Sequence, residues 1–190
     1  MSTKIYASSI SNLTDARYFS AMGVDYMGFD LDVMMDKHNH LKEMISWIEG
    51  PIIVGETNTY NADGLNDLKT IGIKHWSVGR YFNLSMTFED QLIRRLDVGS
   101  MSNLNEEEWC ALYIDKIYTA LTKTEVERIS DLCQKCKTFI HLPFEAKDLE
   151  SIITNINPFG IIVLGGEEEK PGYKSYEEMD EVFEHIYKFN

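Results

Sequence analysis

Three acidic residues that each end an apolar segment are the first candidates for chemistry. Asp32, Glu56 and Asp97 stand at the ends of the segments 25–32, 51–56 and 91–98. Carboxylates that meet at neighbouring strand ends can serve as general acid and general base, or can hold a divalent cation through oxygen ligands. The structural alternative is that strand ends emerge into water, where acidic residues are common. We treat these three residues as candidate catalytic groups.

Two adjacent arginines form a candidate for anion binding. Arg94 and Arg95 lie in one predicted strand, and alternation of side chains directs one of them to the inner face and the other to the outer face. An inward arginine near a strand end would bind an anion, and we name Arg94 as the candidate ligand-binding residue. An arginine paired with a neighbouring acid is the structural alternative.

The sequence gives weak indications of a metal. His38 and His40 offer two imidazoles, with Asp36 nearby, but no third convincing ligand follows, and solvated histidines are the simpler interpretation. Cys133 and Cys136 have the C-x-x-C spacing without a second pair. They end a predicted helix, where the helix dipole disfavours a thiolate. We predict no bound metal and no cofactor.

The elements that position these residues begin with a strand, a helix and a second strand in residues 4–32. Asn12 is a candidate helix N-cap, Asp15 supports the same first turn, and Gly23 allows a left-handed exit from the helix. Apolar segments then recur along the chain and predict further strands. We place the sixth strand at 116–121, after a helix at 103–113 whose capping box is Asn103 with Glu106.

Eight predicted strands alternating with helices favour an α/β fold, a small (β/α)8 barrel of the TIM type. The 190 residues are few for such a barrel, which typically needs about 250. A fourth helix that is missing or reduced to a turn, within 80–90, accounts for part of the difference. An open, doubly wound sheet is the alternative. No linker divides the sequence, so we expect one domain over residues 1–190.

Once its first and last units are aligned, the sequence resembles the phosphoribosylanthranilate isomerase family. The matching segments are Lys4-Ile5, Asn12-Leu13-Thr14-Asp15-Ala16, Gly28-Phe29, Val54-Gly55, and Gly160-Ile161-Ile162-Val163 through Gly166 to Pro171-Gly172-Tyr173-Lys174. The resemblance implies an Amadori rearrangement in tryptophan biosynthesis, run by a cysteine base and an aspartate acid. It also implies a substrate phosphate held at loops seven and eight, with Gly165 and Gly166 as ligand-binding glycines.

The sequence departs from the family pattern at five places. Tyr6 and Ala7 stand where the family has Cys-Gly, Val33-Met34-Met35-Asp36 replaces Ser-Pro-Arg, and the strand-six acid falls near Thr119 or Ala120. Leu142-Pro143 replaces the Gly-Gly pair of loop seven, and Glu167-Glu168-Glu169 follows the glycines of loop eight. A phenol with a pKa near about 10 is a poor base at neutral pH, and proline has no N–H for a phosphate.

The charge and the apolar segments restrict the partners. A formal net charge of −13 argues against a nucleic-acid surface, which requires clustered Lys and Arg. No apolar run is long enough to span a membrane and no leader pattern begins the sequence, so we expect a cytoplasmic protein without membrane contact. The aromatic residues Tyr81, Phe82 and Phe88 near the reduced helix form a candidate homodimer surface, and burial by their own loop is the alternative.

Two functional hypotheses follow from these patterns. The first is an isomerase-like barrel, a pseudoenzyme, that has lost the family reaction and binds a small ligand or a partner protein. The second is an enzyme, either the isomerase of tryptophan biosynthesis or another isomerase or lyase that uses Asp32, Glu56 and Asp97. A mouth filled by Tyr6, Leu142 and Phe144 would favour the first, and an open pocket with converging carboxylates would favour the second.

Overall fold

The computed structural model describes residues 2–34, 38–59, 69–79, 91–100 and 109–189. Within these ranges the chain forms eight β-strands and five α-helices. The strands are β1 (Lys4–Ile10), β2 (Tyr26–Asp30), β3 (Ile52–Thr57), β4 (His75–Val78), β5 (Gln91–Asp97), β6 (Trp109–Tyr113), β7 (Thr138–His141) and β8 (Gly160–Leu164). The helices are α1 (Leu13–Ala21), α2 (His38–Ser46), α3 (Lys123–Lys135), α4 (Leu149–Ile156) and α5 (Glu177–Phe189).

The strands close into a barrel. Each strand pairs in parallel with its neighbour in sequence, and β8 pairs with β1 from Lys4↔Gly160 to Ser8↔Leu164. Because the last strand completes the ring, the open-sheet alternative is excluded and the prediction of a (β/α)8 barrel is confirmed. The predicted reduction of the fourth helix concerns residues 80–90, which lie outside the described residues.

The first βαβ unit forms as its sequence predicts. The side chain of Asn12 caps α1 by accepting a hydrogen bond from the backbone N–H of Asp15 at 2.8 Å. Gly23 has a φ of 66° after the helix, a conformation that costs glycine little and other residues more. The chain can therefore leave α1 and enter β2 within a few residues.

The prediction for strand six is wrong. The strand is β6, in a segment predicted as the end of a helix, and residues 116–121 contain a short 3-10 turn, Tyr118–Ala120, instead. Cys110, Ala111 and Leu112 are all buried, whereas Lys116 and Ile117 are exposed. A strand covered on both faces needs apolar residues at successive positions, and only the earlier segment provides them. Asn103 and Glu106 lie outside the described residues.

The core has two layers. The larger lies between the strands and the helices, and includes Phe19, Trp76 and Phe183. The smaller fills the barrel interior. Its residues are Tyr6, Tyr26, Val54, Ile93, Ala111, Phe139 and Ile162.

Aromatic rings close the end of the barrel where the strands begin. The ring centroids of Tyr26 and Phe139 are 5.0 Å apart, and those of Trp109 and Phe159 are 5.4 Å apart. Such contacts stabilise a core beyond simple area burial. The polar inward residues are consequently concentrated at the other end, the mouth, where the strands finish.

The described part of the chain contains no helix long and apolar enough to cross a membrane. The candidate homodimer surface of Tyr81, Phe82 and Phe88 lies outside the described residues.

Candidate functional site

The centre of the mouth is a buried carboxylate, that of Glu56. Val54 of β3 belongs to the interior cluster, so alternation also directs Glu56 inward, and the residue is only 2% exposed. A carboxylate removed from water requires hydrogen-bond donors to remain charged. The structure supplies them from a single strand, β1.

Three donors of β1 bind the Glu56 carboxylate. The Tyr6 hydroxyl and the Ser8 hydroxyl both donate to Oε1, the latter at 2.8 Å. The backbone N–H of Ser9 donates to Oε2 at 2.7 Å. Ser9 has a φ of 61°, and the pairing of β1 with β2 is irregular between Ala7 and Ile10. This strained turn of the backbone directs the Ser9 N–H to the carboxylate, and such strain is concentrated at functional sites.

Glu56 reaches β1 across β2 because Gly28 has no side chain. β2 lies between β1 and β3, and a Cβ atom at Gly28 would overlap the Glu56 carboxylate and lie 2.8 Å from the Tyr6 hydroxyl oxygen. A glycine at position 28 is therefore required by the packing of Glu56 and Tyr6 in this chain.

Gly28→Ala should lower the free energy of unfolding by about 1–3 kcal/mol, the usual cost of forcing extra volume into a packed interior. Gly99→Ala is the matched control, since a Cβ there would have no atom within 4 Å. Urea unfolding followed by circular dichroism measures both variants. Equal stabilities of the two variants would contradict the crossing of β2 by Glu56.

Burial dominates the electrostatics of this centre. It raises the pKa of Glu56, and the hydrogen bonds from Tyr6, Ser8 and Ser9 and the charge of Arg95 oppose that rise. Burial, followed by the charge of Glu56, raises the pKa of Tyr6 well above its ordinary value. Tyr6 is therefore a hydrogen-bond donor at neutral pH and has no capacity to act as a base.

Arg95, Tyr113 and His141 surround the Glu56 network towards the rim. Arg95 Nη2 donates to the backbone oxygen of Ser77 at 3.4 Å. The Tyr113 hydroxyl lies 3.3 Å from Ser8 Oγ, and burial, with the charge of Glu56, raises its pKa to about 12. The His141 ring lies 5.4 Å from the Tyr113 ring, and burial lowers the pKa of His141. Among the described residues, the mouth thus contains the cationic group of Arg95 and several neutral donors.

The structure does not bring Asp32, Glu56 and Asp97 together. Asp32 closes the loop after β3, where it accepts hydrogen bonds from the Thr57 hydroxyl at 2.6 Å, the Asn58 N–H at 2.8 Å and the Thr59 hydroxyl at 2.7 Å. Burial raises the pKa of Asp32, but these hydrogen bonds outweigh it and the net shift is downward. Asp97 is exposed, opposite Tyr113 in the strand register. Of the three, Glu56 alone is buried.

The inward arginine is Arg95, and the named candidate Arg94 faces the other way. Ile93 packs in the barrel interior, whereas Leu92 and Leu96 pack against the helices. Alternation along β5 therefore places Arg94 on the outer face with these leucines and Arg95 on the inner face. The choice between two adjacent arginines depended on strand register, which the sequence left open.

The N–H groups of the glycine pair in loop eight already have internal acceptors, and that of Gly165 is the Ser8 carbonyl at 2.8 Å. The Gly166 N–H donates to Asp15 Oδ2 at 2.8 Å, and Asn12 Nδ2 donates to the Gly166 carbonyl at 2.9 Å. Asp15 is fully buried and also accepts hydrogen bonds from Lys174 Nζ at 2.8 Å and from the Tyr176 hydroxyl at 2.6 Å. A side-chain carboxylate thus takes the Gly166 N–H that a phosphate would otherwise use.

The other loop residues likewise have internal partners. Glu168 accepts hydrogen bonds from the Thr14 hydroxyl and from the Gly172 N–H. Leu142 is buried in the layer between strands and helices, and Phe144 packs partly buried against that layer. Of the three side chains expected to fill the mouth, only Tyr6 lies in the barrel interior.

The correction of strand six reveals an aspartate that the sequence-based alignment missed. β6 ends at Tyr113, so the residues that follow its end are Ile114 and Asp115 rather than Thr119 or Ala120. Asp115 is exposed. The apolar run Trp109–Tyr113 was the signal that could have found it, but the apparent capping box upstream favoured a helix there.

The part of the chain that the structure describes contains no group of three His, Cys, Asp or Glu residues placed to hold a metal ion. His40 and His38 both lie in the first turn of α2. Cys133 is partly buried, and burial raises the pKa of its thiol to about 12, which is unsuited to thiol redox chemistry.

The fold and the position of the Glu56 cluster define a (β/α)8 barrel with its candidate site at the strand ends, where enzymes of this class have theirs. Among solved structures, the fold matches phosphoribosyl anthranilate isomerase from Thermotoga maritima with a TM-score of 0.74 and 15% identity, over 98% of this chain and 99% of that one. The enzyme from Thermus thermophilus gives 0.69 and 14%, over 99% and 100%. KGPDC from Streptococcus mutans gives 0.67 and 10%, over 99% of each chain.

No protein-family model matches the sequence, and no curated protein sequence matches it either. The likeness to these enzymes is therefore one of fold.

Proposed function

We propose that this chain is a phosphoribosylanthranilate isomerase-like barrel that does not catalyse the isomerisation and instead binds a small ligand at its mouth. The observation that carries this proposal is Tyr6. It occupies the strand-one position at which the family has its cysteine base, it is fully buried, and its hydroxyl donates to Glu56. A proton donor held in this way cannot remove a proton from a substrate.

The phosphate side of the site supports the same conclusion. The Gly166 N–H is bonded to Asp15, and loop seven has Pro143, which lacks an N–H. The Pro143 carbonyl accepts a hydrogen bond from the Tyr118 N–H at 2.9 Å. This bond connects loop seven to the turn that follows β6. Asp115 follows β6 and could still serve as the acid, so the acid position does not support the loss of the reaction. The proposal depends on the replaced base at Tyr6 and on the missing phosphate contacts at Gly166 and Pro143.

A small ligand is favoured over a partner protein by the polar residues that remain. Ser8, Arg95, Tyr113 and His141 lie on inner faces of different strands around the Glu56 carboxylate. Polar groups that converge inside a concave scaffold are the ordinary means of fixing a small molecule. A flat protein surface would have no access to side chains at this depth.

The isomerase reaction tests the proposal. The purified protein should give no turnover of phosphoribosylanthranilate, and its gene should not restore growth to a tryptophan auxotroph that lacks this step. The Thermotoga maritima enzyme, tested in the same strain and assay, is the positive control, and circular dichroism verifies that the protein is folded. Growth or turnover above the empty-vector background would refute the loss of the reaction.

One observation favours an enzymatic alternative, an isomerase or lyase that uses Glu56. Burial raises the pKa of Glu56, and a raised pKa is a property of carboxyl groups that serve as general acids in enzymes. Its near-complete burial and its three donors oppose that role. Any turnover by the native protein that Glu56→Gln abolishes, with folding retained, would support this alternative.

A further inference from the structure

We propose that Arg95 and Tyr113 form a subsite for a small carboxylate, a planar monoanion, inside the mouth of the barrel. This inference rests on the proposed function, since it names the chemistry of the ligand that the mouth would hold. It requires neither the isomerase reaction nor a metal.

The first observation is an unused donor on Arg95. The Nε atom is buried and has no hydrogen-bond partner among the described residues. Within the described ranges, the bond that Nη2 makes is a long one, 3.4 Å, to the Ser77 carbonyl. A guanidinium has five N–H donors, and leaving a buried one unpaired is costly, so such a group in a cleft indicates a missing acceptor.

The second observation is the state of the Tyr113 hydroxyl. Ser8 has one hydroxyl hydrogen and gives it to Glu56, so Tyr113 is the donor in its contact with Ser8. That contact measures 3.3 Å, which is long for a hydroxyl pair, whose usual separation is about 2.7–2.8 Å. A ligand oxygen can replace it at little cost.

Arg95 and Tyr113 are also close enough to interact. The positive charge of Arg95 acts to lower the pKa of Tyr113 and that of Glu56, although burial outweighs it in both. Residues 95 and 113 belong to adjacent strands, and both side chains lie on the inner face. An acceptor placed between them would therefore receive one charged and one neutral hydrogen bond.

The charges of the residues that the structure describes favour a monoanion over a phosphate dianion. Arg95 is opposed by the nearby carboxylate of Glu56, and exposed Asp97 lies opposite Tyr113 in the register. The backbone N–H of Gly166, which could bind a phosphate, is bonded to Asp15. A single guanidinium matches the two oxygens of a planar carboxylate, which it binds through parallel N–H groups.

Titration of the full-length protein with sodium acetate and sodium succinate tests this subsite by NMR, with sodium chloride and sodium phosphate at matched ionic strength as comparators. The Nε–H resonance of Arg95, identified by its loss in Arg95→Lys, should move with the carboxylates and not with chloride. Binding should weaken by at least about ten-fold in Arg95→Met, because a charged hydrogen-bond partner is removed. Arg94→Met is the matched control on the outer face of the same strand and should bind as the native protein does.

Equal affinity in Arg95→Met and the native protein would overturn the subsite, as would tighter binding of phosphate or a loss confined to Arg94→Met. If Arg95→Met does not fold, Arg95→Lys and Tyr113→Phe replace it, and unchanged affinity in both would be equally decisive.

The two proposals can be refuted independently of each other. Isomerase turnover would refute the loss of the family reaction, whereas unmoved Arg95 resonances without turnover would refute only the carboxylate subsite.

Discussion

Asp15→Ala should lower the free energy of unfolding by about 3–5 kcal/mol, the range expected when one member of a buried ion pair is removed. Asp15 is fully buried and binds Lys174 Nζ, the Tyr176 hydroxyl and the Gly166 N–H. Without the carboxylate, the Lys174 side chain, which is 18% exposed, would lose its counter-charge. Three further donors, those of Tyr176, Gly166 and Asn12, would lose an acceptor. Urea unfolding followed by circular dichroism gives the loss directly.

Two variants define the origin of this effect. Glu127→Ala removes an exposed carboxylate that lies 3.8 Å from Lys123, and it should change stability by less than about 0.5 kcal/mol. Asp15→Asn keeps the side-chain shape, but its amide must present a donor to either Lys174 or Gly166, so a large part of the loss should remain. A change of under 1 kcal/mol in Asp15→Ala would show that the loop after β8 is held by other contacts.

Glu56→Leu should lower the free energy of unfolding by about 3 kcal/mol, because the Tyr6 hydroxyl, the Ser8 hydroxyl and the Ser9 N–H would lose their common acceptor. Relief from burying a charge offsets part of this cost. The strained backbone of Ser9 would also lose the contact that holds it. Thermal and urea unfolding measure the loss.

Glu56→Gln and Glu49→Leu are the matched variants for this prediction. The glutamine retains one acceptor oxygen for Tyr6 and Ser8, but its amide NH2 then faces the Ser9 N–H, so one donor of the three loses its acceptor and the loss should be roughly half as large. Glu49 is exposed, so leucine there should have an effect within about 0.5 kcal/mol. If all three variants were equally stable, the Glu56 network would contribute nothing to the fold.

Local patterns in the sequence predict much of the fold. Asn12 caps α1 and Gly23 adopts a left-handed conformation after it, as the sequence predicts. Both features depend only on residues close together in the sequence. The closed barrel follows from repetition of strand and helix, which leaves few topologies for parallel strands. Strand six was placed wrongly because the local sequence patterns of β6 and of the exposed segment after it are both compatible with a strand. Burial on both faces of the sheet distinguishes the two segments, and it is visible only in the structure.

The candidate site could be predicted only in part. Glu56 was selected for its position at a strand end, and it is the centre of the network. Asp32 and Asp97 were selected on the same ground, yet the first closes a loop and the second is exposed. Strand ends reveal which residues reach the mouth, but the partners of each side chain depend on loops and on register.

The alternation of strands and helices and the tyrosine at position 6 can be read from the amino-acid sequence alone, since neither depends on contacts between distant residues. Only the folded barrel shows that Asp15 of the first unit binds Gly166, 151 residues away, and that Arg95 rather than Arg94 faces the interior. One step of strand register exchanges the two faces of a sheet, and contacts between distant loops form only once the ring is closed.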